Sequence, residues 1–108
     1  MENGEDFRLV FVTTGSEENA RDIARTLTKE RLAACCTMIS GAVSIYRWQG
    51  NIEESRETQL FIKTSAGQLG LVEQRIQQLH SYDTPEIVAV ILSDISTPYL
   101  AWLRESLL

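Results

Sequence analysis

The chain has 108 residues, 44% of them hydrophobic and 23% charged, with two cysteines, one histidine and a formal net charge of -5. Those values fit one soluble globular domain, which at this length buries roughly 65% of its unfolded surface and needs neither disulfide nor metal to fold. The longest apolar run, Ile87 to Leu92, is far below the roughly 20 residues of a membrane-spanning helix, and the polar, acidic Met1–Asp6 segment is unlike a secretory signal, so the expected compartment is the cytoplasm. Ten basic residues scattered singly argue against a nucleic-acid surface.

Arg8 to Thr14 is β-branched and apolar and predicts a strand, ending at Gly15-Ser16, a turn and helix N-cap. Ala20, Ile23, Ala24 and Leu27 recur at helical spacing, so the first helix is expected from about Glu17 to Glu30. Leu32 to Trp48 reads as one long strand with a bulge at Ser40-Gly41. The adjacent Cys35 and Cys36 within it are expected reduced, because a bridge between neighbours is strained. A turn at Gln49-Gly50-Asn51, a short charged stretch at Ile52–Ser55 and a returning strand from Glu57 to Thr64 complete a long antiparallel hairpin. A second helix is expected from about Gly67 to His80, then a loop at Ser81–Glu86 and an apolar strand at Ile87–Ser93. Thr97-Pro98 starts a last helix, with Tyr99, Trp102 and Leu103 as its expected inward side.

This order is an α+β fold, the ferredoxin-like split β-α-β sandwich with a long β-hairpin and an extra C-terminal helix. Right-handed crossovers put both long helices on one face of the sheet. Yet in Arg8–Thr14 the apolar residues point to both faces, Val10 and Val12 one way, Leu9 and Phe11 the other. A second apolar face that the short last helix cannot cover predicts burial against another subunit.

Five blocks then stand in order: ERLAAC at Glu30–Cys35, SIYRWQG at Ser44–Gly50, IKT at Ile62–Thr64, LHSYDTPE at Leu79–Glu86 and YLAWL at Tyr99–Leu103. Together they resemble the CutA-type divalent-cation-tolerance family. The resemblance implies residues 1–108 as a single CutA-like domain, with residues 1–7 as a flexible N-terminal tail. It also implies a homotrimer similar in plan to the PII signalling proteins, and a cytoplasmic role linked to copper and other divalent cations. Nothing in the chain resembles a nucleophile held by an oriented base or a Gly-rich phosphate loop, so no enzymatic activity is expected.

His80, the lone histidine, stands where a helix gives way to a polar loop and is expected to be reachable by solvent; a neutral imidazole is a common Cu(II) ligand. Glu57 matches a glutamate that some members of the family are thought to use with the histidine, so His80 and Glu57 are the candidate metal ligands. Lys63, Tyr82 and Glu86 are candidates for the lip of a polar cleft beside His80. Tyr46 and Trp48 share a strand face, and Tyr99 and Trp102 share a helix side; all four are expected in a core or subunit interface. The alternative is a PII-like regulatory trimer that binds a small anion or nucleotide through Lys63 and signals to a partner protein. Thr13 replaces a cysteine found in some relatives, and Ser40 and Ser81 stand where prolines are usual.

Overall fold

The computed structural model describes residues 1–108 as six strands and three α-helices. In chain order they are β1 (Glu2–Asn3), β2 (Phe7–Thr14), α1 (Glu17–Lys29), β3 (Cys35–Trp48), β4 (Asn51–Ser65), α2 (Leu69–Leu79), β5 (Val88–Ile91), β6 (Asp94–Ile95) and α3 (Thr97–Ser106). The main sheet has the order β3-β4-β2-β5, all antiparallel, which is the ferredoxin-like arrangement. Val10, Val12, Leu60 and Ile62 on one sheet face pack against Ala20, Ile23 and Leu27 of α1 and Val72 and Ile76 of α2, and all nine are fully buried.

Several boundaries differ from expectation for local reasons. The long strand starts at Cys35 rather than Leu32 because the end of α1 takes up the intervening residues. Arg31 enters the left-handed region at φ 60°, and the amides of Leu32 and Ala33 both donate to Leu27 O. The charged Ile52–Ser55 stretch is part of β4, paired with Arg47–Ser44 of β3, so the two strands project as one continuous ribbon. The expected bulge is present as a register shift between Ile39 and Ala42, with Gly41 at φ 78° supplying the left-handed residue. Residues 1–7, expected as a flexible tail, instead carry β1 paired with β6, and Phe7 is buried. Gly4 permits this: a Cβ there would stand 2.5 Å from Leu92 O.

The last helix buries Leu100 and Leu103, together with Leu107 just after it, against Phe7, Ala34 and Ile95. Of Tyr99 and Trp102, both expected to face inward with Leu103, Tyr99 is partly buried against this cluster, while Trp102, its ring centroid 5.3 Å from that of Tyr99, stays exposed. The sequence periodicity admits either side of this short helix, and the leucines take the inner one. By covering Phe7, α3 closes only one end of the second sheet face. Phe11 and Phe61, edge to face at 5.4 Å, remain half-buried there, and Ile39, Val88 and Val90 are exposed.

Candidate functional site

The bulge turns the β3–β4 ribbon out of the sheet, and the loop after α2 folds back toward it. Between them lies a cleft of about 710 Å³. Its walls include Glu57, Tyr46 and Trp48 from the ribbon, Thr13 from the end of β2, and Tyr82, Asp83 and Glu86 from the loop. Tyr46 and Trp48 point to the same side as Glu57 because Ala42, Ser44, Tyr46 and Trp48 alternate along β3 and Ala42 pairs with Glu57.

His80 is 9% exposed rather than solvent-facing, and both its ring nitrogens are engaged. Nδ1 accepts from the Tyr82 amide at 3.0 Å, which leaves Nε2 as the protonated nitrogen, donating to Thr13 O at 2.7 Å. The expectation of an accessible imidazole is therefore corrected: the ring ties the loop to β2 and has no free lone pair in this conformation. Nor does the ring cap α2, whose last turn is closed by the His80 amide donating to Ile76 O.

The ring holds Tyr82 in place, their centroids 4.9 Å apart, and the Tyr82 hydroxyl donates to Glu57 Oε2 at 2.8 Å. Glu57 is 8% exposed, and its other oxygen takes no hydrogen bond. No cation pairs with it; the chain's ion pair is Arg75–Glu30, on the far surface of the helices. Burial, then the hydrogen bond to Glu57 and that carboxylate's charge, push the Tyr82 phenol up to about 12. Burial first and the Glu57 charge second also raise the Glu86 carboxyl. In both groups the Glu57 carboxylate adds to the larger effect of burial.

Tyr82 yields a pH prediction. Because its folded pKa lies above the ordinary value of 10, the native state keeps a proton that the unfolded chain releases, so stability falls as pH climbs from 10 through about 12. Absorbance titration at the phenolate band is expected to show this late tyrosine, and Glu57→Gln to move it partway down, since burial remains. An unchanged midpoint in that variant would remove Glu57 as a cause.

Lys63, expected at the cleft lip, is elsewhere: it pairs across strands with Cys35 and Leu9 and its ammonium lies over the Tyr99 ring at 5.4 Å from the centroid. Six residues along one strand separate it from Glu57, more than loop proximity in the sequence could reveal. Asp83 and Asn19 were missed. Asp83 adds a third carboxylate to the cleft; Asn19 donates from Nδ2 to Leu79 O at 2.9 Å and accepts the Ser81 amide and hydroxyl at 3.2 Å. Ser81 thus makes a backbone bond closed to proline, and Ser40 donates to Glu17. Cys36, in the shallow groove between α1 and β3, has its thiol pushed up to about 11 by burial. No group of three or more His, Cys, Asp or Glu stands close enough within one chain to hold a metal ion.

The sheet order, the projecting ribbon and the carboxylate cleft define a ferredoxin-like protein with an acidic cleft at the root of its hairpin. Residues 8–106 match the family model of the CutA1 divalent ion tolerance protein. The chain is 45% identical over 98 residues to the divalent-cation tolerance protein CutA of Thermus thermophilus, covering 91% of this chain and 95% of that one. Among solved structures, CutA from Xylella fastidiosa superposes with a TM-score of 0.92 at 44% identity, covering 94% of this chain and 98% of that one. A structure described as the periplasmic divalent cation tolerance protein CutA from Archaeoglobus fulgidus gives 0.89 at 30% identity, with 93% and 97% covered. The chain belongs to the CutA1 divalent ion tolerance family.

Proposed function

We propose that the protein is a cytoplasmic, non-enzymatic homotrimer that binds divalent metal ions in the cleft at the root of the hairpin. The observation that carries the reading is Glu57, a carboxylate more than nine-tenths buried with one oxygen open to the cleft and no cation beside it. A buried charge is costly unless it is paired, and a divalent ion between Glu57 and Glu86 supplies the missing charge. Carboxylate oxygens suit hard divalent ions, and His80, with both ring nitrogens bonded, serves the site by holding Tyr82 and through it Glu57. Since one chain gathers no complete donor set, water or neighbouring subunits fill the remaining positions.

The trimer is supported by the uncovered apolar patch around Phe11 and Phe61 and by the single-partnered edge strand β5, whose Val88, Val90 and Ile91 are all exposed. No helix is long and apolar enough to cross a membrane. The regulatory alternative, with an anion or nucleotide in the cleft and a partner protein downstream, loses its motive because Lys63 lies beside Tyr99 and the cleft lining has only acidic charges.

Calorimetric titration of the assembled protein with Mn(II) and Cu(II) tests the proposal. Saturable binding that weakens at least tenfold in Glu57→Gln, about 1.4 kcal/mol or more, supports it. Equal affinity in the variant refutes it.

A further inference from the structure

The cleft is far larger than a bare ion needs, and its volume of about 710 Å³ falls in the range of small-molecule sites. Two kinds of group converge in it. Tyr46 and Trp48 stand on one strand face opposite Tyr82, with Trp48 58% exposed, a large ring offered to the cleft rather than to a core. Glu57, Glu86 and Asp83 bring three carboxylates, with no lysine or arginine in the lining. Aromatic faces attract ammonium groups through the ring quadrupole, and they stack on methylene chains; a hydrated metal ion draws little from either. The free oxygen of buried Glu57 fixes one end of any cation, while Glu86 and Asp83 give a second anchor.

We propose that this cleft binds a short aliphatic diamine, one ammonium at Glu57, the methylenes against Trp48 and Tyr46, and the second ammonium toward Glu86 and Asp83. Two positive charges answer the acidic surplus that one would leave unneutralised. The inference goes beyond the metal reading and shares Glu57 and Glu86 with it, while the aromatic faces of Trp48 and Tyr46 belong to the diamine alone.

The test is calorimetry on the assembled protein in metal-free buffer with 1,4-diaminobutane, and with 1,4-butanediol as the uncharged control. Saturable binding of the diamine alone is expected, weakened at least tenfold in Trp48→Leu and in Tyr46→Leu, two exposed positions whose change leaves the fold intact. Mn(II) affinity is expected to stay the same in both variants, whereas Glu57→Gln weakens both ligands. No diamine binding, binding equal to that of the diol, or full affinity in both aromatic variants overturns the proposal. Diamine binding with no Mn(II) binding upholds it and removes the metal reading instead.

Discussion

Phe61→Asp is expected to turn the assembled protein into a folded monomer of 12.2 kDa, seen directly by light scattering. Phe61 sits on β4 opposite Phe11 of β2, on the sheet face that carries no helix. In an isolated chain the position is only half-buried, so the new carboxylate reaches water and the helix-side core around Leu60 and Ile62 is untouched. The aromatic pair lost is worth only about 1 kcal/mol beyond its area. In a trimer the same carboxylate is buried without a partner in each of the subunits, at several kcal/mol per copy. The asymmetry between a tolerant chain and an intolerant assembly is the expected signature. An intact trimer would place the contact on another surface, with the ribbon's exposed Val43, Ile45 and Ile52 as the next candidates.

His80→Ala is expected to destabilise the chain by about 2–6 kcal/mol, because it leaves the Thr13 carbonyl and the Tyr82 amide without partners at about 1–3 kcal/mol each. Urea unfolding measures it. Since the imidazole also steadies Tyr82, which in turn holds Glu57, metal affinity is expected to fall as well, but by less than in Glu57→Gln. That order follows from treating His80 as a positioning residue. Wild-type stability combined with a larger loss of Cu(II) affinity than in Glu57→Gln would make the ring a ligand with free lone pairs.

The contrast between these two residues shows what sequence can carry. The strand and helix order, the hairpin bulge at Ser40-Gly41 and the two-faced character of Arg8–Thr14 were legible because they depend on local periodicity and turn chemistry. So was the same-face placement of Tyr46 and Trp48, which needs only the two-residue repeat of a strand. The state of His80 was not legible, since its partner Thr13 lies 67 residues away and the bond exists only once α2 lies beside β2. Lys63 and Glu57 share a strand, but the way the ribbon leaves the sheet at the bulge puts them at opposite ends of the uncovered face. The β1–β6 ladder escaped notice for a different reason: two-residue strands carry no periodicity, and only the close approach of Gly4 to Leu92 marks them.

A crystal of the assembled protein soaked in Cu(II) and recorded at the copper absorption edge tests the central claim most directly. The account predicts an anomalous peak bonded to the free oxygen of Glu57, between the ribbon and the Ser81–Glu86 loop, with Glu86 turned toward it. A peak confined to Cys35, or to carboxylates outside the cleft, with none at Glu57, would contradict it.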